Sequence, residues 1–248
     1  KAVVDASRAT QMAPLDLLKK AGAIDSAYQF HWKRFLFENF PKGTGFPPLA
    51  APAIADELPL SAAQAFSIDD SATTEIDDAL SVTGLGTGTV TVGIHIAAPG
   101  LAVQPQSAID NVARHRLSTV YMPGYKVTML PDAVVQGYTL QEGRDCPALS
   151  LYVTLDEATL EIRSRLTRLD QVPIVSNLRH DLLDQVFTED FFAAAQSSAP
   201  PADVAWGVEL SFLHRLAKHL KAQREVVRGK PENFNRPDYN FKLDNRGD

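Results

Sequence analysis

The residues of this chain best able to do chemistry crowd into one segment, Ile68-Asp69-Asp70-Ser71-Ala72-Thr73-Thr74-Glu75-Ile76-Asp77-Asp78-Ala79-Leu80. Five carboxylates fall within residues 69–78, with apolar residues on both sides. Carboxylates this close repel one another, and each needs water, a cation or hydrogen-bond donors to stay ionised. An all-oxygen donor set suits hard cations such as Mg²⁺, Mn²⁺ or Ca²⁺ rather than zinc. An EF-hand does not fit: counting from Asp69, the sixth position is Thr74 where that loop needs Gly, and the twelfth is Leu80 where it needs Glu. A magnesium site with few protein ligands and retained waters fits better, and such sites handle phosphates. The plain alternative is a solvated acidic loop. Ile68, Ile76, Ala79 and Leu80 weigh against it, because they imply partial burial, where an unpaired carboxylate is costly. Residue types alone leave both readings open.

The elements that must position this segment can be read on either side of it. Pro14 with Leu15, Leu17 and Leu18 predicts a short helix that Gly22 ends. Ser26 then opens a second helical pattern with Phe30, Trp32, Phe35, Phe37 and Phe40. Residues 41–59 hold five prolines and two glycines, which is linker composition. From Phe66 the character turns to strand. The glycine-rich turn 84–88 between Ala79–Val82 and Val90–Ile96 predicts a hairpin. Residues 108–117 read as a helix, 121–124 as a break, and 149–155 and 160–166 as strands. Helices follow over 181–195 and 204–227, and residues 236–248 read as a strand reaching a turn.

The chain has 248 residues, 24 Lys and Arg against 30 Asp and Glu, and a formal net charge of −6. With 45% hydrophobic residues it is too apolar for a disordered chain, and it lacks the glycine period of collagen. No run of about 18 apolar residues occurs, so no membrane-spanning helix and no membrane partner are expected. The start shows no charged-then-apolar signal segment. A single cysteine, Cys146, excludes an internal disulfide and a Cys-rich zinc site, and a reducing, cytoplasmic setting is expected. The acidic balance argues mildly against non-specific nucleic-acid binding.

The segment FSIDDSATTEIDDAL closely resembles the signature of the catalytic (RNB) domain of the ribonuclease II and ribonuclease R family, roughly I-D-x5-D-x-D-D-A-L. VGIHIAAP (92–99) resembles that family's "H-I-A-D" strand, and RHRLSTVYMPGYKVTMLP (114–131) its "R-x-T-S-V-Y-L-P…P-M-L-P" segment. NRPDYNFKLDNRGD resembles the stretch preceding the second half of that domain. The resemblance covers about residues 62–248. It implies a processive 3′→5′ exoribonuclease that hydrolyses single-stranded RNA from its 3′ end to nucleoside 5′-monophosphates, using Mg²⁺ or in its place Mn²⁺. Asp69, Asp77 and Asp78 match three of four signature aspartates, and Glu75 stands at the fourth. Asp69 and Asp78 are the expected direct ligands. Asp77 would orient the attacking water or hold a second ion, which makes Asp77 and Asp78 the expected catalytic pair. Tyr121 falls on the position of an aromatic that stacks on a base near the RNA 3′ end. Arg116 matches a family arginine and either contacts phosphate or makes a surface salt bridge.

The sequence also departs from the pattern. Ala98 stands where the family strand has Asp. The second half of the domain, with an arginine motif, a further aromatic and glutamate, is absent, so the chain is expected to be the first portion of a longer protein completed beyond residue 248. The fold expected is α+β: a helical module at 1–45, with a helix-turn-helix arrangement as one option, a linker at 46–61 and the first part of an RNB-type domain at 62–248. The N-terminal module could contact nucleic acid through Lys19, Lys20, Lys33 and Arg34. Basic residues from Arg215 to Lys230 suit either an RNA path or a solvated helix face. His95 reads as a satisfied core histidine and Cys146 as a small packed residue. Two rival functions remain: an RNB-like module that binds RNA or protein without cleaving, and a structural divalent-cation domain.

Overall fold

The computed structural model describes residues 1–49, 57–195 and 204–232. In chain order its elements are α1 (Ala2–Thr10), α2 (Pro14–Lys20), α3 (Ala27–Asn39), β1 (Ala65–Asp69), β2 (Asp78–Thr83), β3 (Thr89–Ala97), a 3₁₀ turn (Pro99–Ala102), α4 (Ala108–Arg116), β4 (Val120–Met122), β5 (Tyr125–Val127), α5 (Asp132–Tyr138), β6 (Arg144–Asp156), β7 (Ile162–Arg179), α6 (His180–Leu183), α7 (Glu189–Ala195) and α8 (Gly207–Arg228). The α+β class stands, with an N-terminal helical module in front of a sheet. The strand read over 236–248 lies outside the described residues. The described residues form two compact units. One joins 1–49 to 108–131, and the other takes the rest. This division is not the linear one expected, because residues 108–131, within the β3–β6 connection, cluster with the helical module.

The larger unit is a closed barrel in the order β1-β2-β3-β6-β7. Each neighbour pair is antiparallel except the closing pair β1/β7, which is parallel. That exception is forced: five strands that alternate in direction bring the first and last together pointing the same way. A barrel of so few strands has little interior room. Its inward positions are accordingly small: Ala65, Ser67, Ala79, Ser81, Gly93, Cys146, Ala148 and Ser150. A Cβ on Gly93 would collide with Ser81 Oγ and His95 Nε2, so only glycine fits there.

A chain of polar side chains crosses the interior. Asp170 is fully buried. It accepts from Ser150 Oγ at 2.6 Å, Tyr152 Oη at 2.6 Å and Arg168 Nε at 2.8 Å. The remaining protons follow from Asp170. Ser150 gives its one hydroxyl proton to that carboxylate, so its oxygen accepts from His95 Nδ1 at 2.8 Å. His95 Nε2 is then an acceptor and takes the Ser81 hydroxyl at 2.9 Å. Tyr152 likewise accepts from Ser61 Oγ at 2.7 Å. Both imidazole nitrogens are satisfied, as a core histidine requires. Cys146 packs in the interior cluster with Ala65, Ile76, Ala79 and Leu140, and burial pushes its thiol pKa up.

Helix α8 covers part of the barrel exterior. Phe212 and Leu216 pack on Val90, Val92, Leu155 and Leu160, while Trp206, just before the helix, lies 4.5 Å ring to ring from Phe66. The turn at 84–88 is tied to the β6–β7 connection. The Glu157 carboxylate accepts from Gly86 and Gly88 N–H at 2.8 and 2.9 Å, which lowers its pKa. The helix expected over 181–195 is two short ones, α6 and α7, and α5 was not anticipated.

In the smaller unit Ser26 caps α3, its Oγ accepting from Gln29 N–H at 3.1 Å. The break expected at 121–124 is a two-residue hairpin turn between β4 and β5. Pro123 supplies the first central position and Gly124, at φ 71°, the left-handed second one. Tyr28 Oη donates to Pro123 O at 2.6 Å, and Trp32 lies 5.0 Å ring to ring from Tyr125, so α3 braces this hairpin.

Burial pushes the His95 imidazole down to about 4 against the upward pull of Asp170. Unfolded, it titrates near its ordinary value of about 6.5. Between those values unfolding takes up a proton, so stability falls as pH drops through that window. Denaturant melts at pH 7 and pH 4.5 should show the parent losing about 2 kcal/mol more than His95→Gln, given about 1.4 kcal/mol per pH unit. Equal losses in the two proteins would assign the acid sensitivity to other groups.

Candidate active site

The acidic segment leaves the barrel at the end of β1 and returns at the start of β2. Its backbone is fixed at both ends. Ile76 is buried in the interior cluster, with its N–H donated to Thr139 Oγ1 at 2.7 Å and its carbonyl accepting from Leu140 N–H at 2.9 Å. Asp77 O accepts from Ala97 N–H at 2.8 Å. On the other side Arg179, the register partner of Asp69, donates Nη1 to the carbonyls of Asp70 and Thr73 at 3.0 and 3.2 Å. Composition gave no reason to single out Arg179. It is the last residue of an 18-residue strand, and only the parallel β1/β7 pairing brings it here.

The side chains differ in how firmly they are held. Asp69 is half-buried, and its Oδ2 accepts from Ser67 Oγ at 2.5 Å. Ser67 in turn accepts from Asn177 Nδ2 at 2.9 Å. Asn177 cannot flip, because its Oδ1 accepts from Glu142 N–H at 2.8 Å while its Nδ2 also donates to Leu140 O at 3.0 Å. A relay of Asn177, Ser67 and Asp69 therefore orients one carboxylate from inside the barrel. Asp77 and Asp78 are exposed and Glu75 is half-buried. Along the strands Asp69 shares the inward side of Ser67, and Asp78 the outward side of Leu80. Asp78 pairs in register with Ile96.

Among the described residues no three His, Cys, Asp or Glu side chains come together closely enough to hold an ion alone. The donor chemistry still fits a hard divalent cation. The candidates are all oxygen donors, one is pre-oriented and two are open to solvent. Mg²⁺ is commonly held by only one or two carboxylates, with water and phosphate completing its shell.

The two candidate RNA-contacting residues, Arg116 and Tyr121, belong to the smaller unit. Tyr121 sits on β4 beside the Pro123-Gly124 turn with its ring 70% exposed, opposite Lys126 in the β4/β5 register. That is how a stacking platform must be presented. Arg116 makes no salt bridge among the described residues; its contacts are to carbonyls and an aromatic ring. Its Nη1 donates to Thr128 O at 2.6 Å and its Nη2 to Thr44 O and Gly45 O at 2.7 and 2.9 Å. Its guanidinium lies 3.8 Å from the Phe46 ring centre. Arg116 is thus a staple between the 44–46 segment and the residue that follows β5.

The basic stretch on α8 is largely neutralised. Arg224 and Arg228 pair with Glu232, Lys221 with Glu225 and Lys218 with Glu189, while Arg215 donates to Glu157 O at 2.6 Å. The solvated-face reading of this helix is the one its ion pairs support.

The family model for the RNB domain matches residues 58–248. Exoribonuclease 2 of Edwardsiella piscicida is 33% identical over 189 residues, 73% of this chain and 27% of that protein. Among solved structures, RNase R of Mycoplasma genitalium in complex with ribose-methylated single-stranded RNA is 18% identical, with a TM-score of 0.61 over 77% of this chain and 28% of that one. Yeast Ssd1, described as a pseudonuclease, is 25% identical, with a TM-score of 0.55 over 75% of this chain and 21% of that one. The chain therefore spans about a quarter of the length of these proteins.

Replacing Arg116 by Lys removes the planar fork that serves several carbonyls and the ring stack at once. Arg116→Lys should destabilise the smaller unit by about 2 kcal/mol, read as a lower melting temperature. An unchanged melt would remove the staple.

Proposed function

The chain belongs to the RNB domain family, a family of exoribonucleases, and from that premise we propose that it supplies the first part of a Mg²⁺-dependent 3′→5′ exoribonuclease acting on single-stranded RNA. The observation that carries this reading is the signature acids at one barrel end, with Asp69 oriented by Ser67 and Asn177 and with Asp77 and Asp78 open to solvent. Asp69 and Asp78 would hold the ion, with Asp77 and Glu75 in reserve for water or a second ion. The ion, when bound, would acidify water and offset charge growing on the phosphate. The chain's own contribution is positional. The Asn177–Ser67 relay holds Asp69 in place before substrate arrives. Arg179 holds the loop and offsets part of its negative charge. Tyr121 stacks on a terminal base without regard to its identity. The chain covers 27% of the exoribonuclease that it resembles at 33% identity, so the activity of the whole protein is part of this proposal.

A second reading, binding without cleavage, rests on Glu75 and Ala98 at signature positions and on the likeness to the pseudonuclease Ssd1. Glutamate keeps the charge but carries it one methylene further out, and Ala98 removes an acid altogether.

One experiment separates the two. A 5′-labelled oligo(A) incubated with the full-length gene product and Mg²⁺ should shorten from its 3′ end and release adenosine 5′-monophosphate, with no shortening in EDTA. Asp78→Asn should slow this by at least about 100-fold. Ser67→Ala should slow it roughly 10- to 100-fold, one lost hydrogen bond to a carboxylate being worth about 1.5–3 kcal/mol. Binding of the oligomer without shortening establishes the second reading, and an Asp78→Asn protein as active as the parent overturns the metal assignment.

A further inference from the structure

Charge in this chain is segregated. The chain as a whole carries −6. The smaller unit, counted over residues 1–49 and 108–131, holds ten basic residues against five acidic ones. An acidic protein thus contains one unit that attracts anions. Several of its cations are committed: Arg34 pairs with Glu38 at 2.8 Å, Arg114 with Asp110 at 2.9 Å and Lys33 with Asp25 at 3.9 Å. Lys42 and His115 have no ion pair among the described residues, and both are exposed.

Those two side chains line one groove. It runs between the segment that follows α3 and the face of α4, and it has a volume of about 380 Å³. Lys42, His115, Asn39, Asn111, Phe40 and Arg116 contribute to its walls, and none of its lining residues is acidic. Gly43 and Gly45 also line it, with nothing within 4 Å of where a Cβ would stand, so the backbone there is open to a ligand. The walls are held by the Arg116 staple to Thr44 O and Gly45 O and by its stack on Phe46. A held groove with two unpaired basic groups, two carboxamides and open backbone is suited to a chain of phosphates.

We propose that this groove binds the phosphodiester backbone of single-stranded RNA, so that the N-terminal helical module is part of the RNA-binding surface. The inference rests on the reading of RNA as the substrate given above and adds a site to it. A single strand is the form assigned because the same unit presents exposed Tyr121, and stacking on it needs unpaired bases.

The test is fluorescence anisotropy with a fluorescein-labelled twelve-residue oligo(A), in EDTA so that nothing is cleaved, across a salt titration. The double substitution Lys42→Glu with His115→Glu should weaken binding at least about 10-fold at low salt. It should also flatten the log–log salt slope by roughly 0.7, the value per lost cation–phosphate contact on a single strand, for Lys42. The milder pair Lys42→Gln with His115→Gln should weaken binding in the same direction, with an unchanged melting temperature. Lys230→Glu, at the end of α8, should leave affinity within about twofold. Parent-like affinity in both double variants, or a loss confined to Lys230→Glu, overturns the groove and leaves the hydrolysis reading untouched. Tighter binding of the same oligomer annealed to oligo(U) overturns the single-strand assignment. A parent chain that binds no oligomer overturns the groove and counts against RNA as substrate.

Discussion

One buried carboxylate organises the larger unit. Asp170 is enclosed by five strands with no water-facing surface. A charge in that position persists only if its lone pairs are met. Ser150, Tyr152 and Arg168 meet them, and the direction of those bonds dictates every proton further along, through His95 to Ser81 and through Tyr152 to Ser61. The network joins β2, β3, β6 and β7 by side chains as well as by the backbone ladder, so strand register is fixed twice over. A slip of one residue would turn His95 to solvent and leave Asp170 without partners. The small interior residues follow from the same constraint. Ala, Ser and Gly leave the room that the His95 and Tyr152 rings occupy, and Gly93 is the clearest case.

The acidic segment depends on this frame. It has no regular structure of its own, and its carboxylates repel. What holds it is external: the interior cluster that takes in Ile76, the Thr139 hydroxyl, the Arg179 guanidinium and the Asn177–Ser67 pair, all supplied by the barrel or the segment before β6. The electrostatics are equally divided. Acids gather at the barrel end, the α8 cations are spent on neighbouring glutamates, and the surplus positive charge sits in the helical unit.

Much of this was legible before the fold was known, and the limits have physical causes. The α3 cap at Ser26, the β2–β3 hairpin and the length of α8 are local, written in neighbouring residues. The acids at 69–78 were visible as a cluster for the same reason, and the satisfied state of His95 was readable from its apolar strand. What could not be read was long-range. Barrel closure depends on β1 meeting β7 more than 100 residues later, and Arg179 and Asn177 reach the acids only through that pairing. The 121–124 stretch reads as a break because Pro-Gly stops regular structure, yet the same dipeptide closes a hairpin once strands flank it. The partners of Arg116 were hidden for the same long-range reason: Thr44 O, Gly45 O and the Phe46 ring lie some 70 residues earlier in the chain.

That the helical module and residues 108–131 form one compact unit has a consequence for the order of events on the ribosome. The three N-terminal helices are made first, but Tyr125, the Pro123 carbonyl and the Arg116 fork are made only after the first three barrel strands. At about 5–20 residues per second the module waits several seconds for the segment that completes it. During that interval Tyr28, Trp32 and Phe46 lack the partners that Pro123, Tyr125 and Arg116 supply. Folding of the two units is interleaved in time, so neither can be finished and set aside before the other begins.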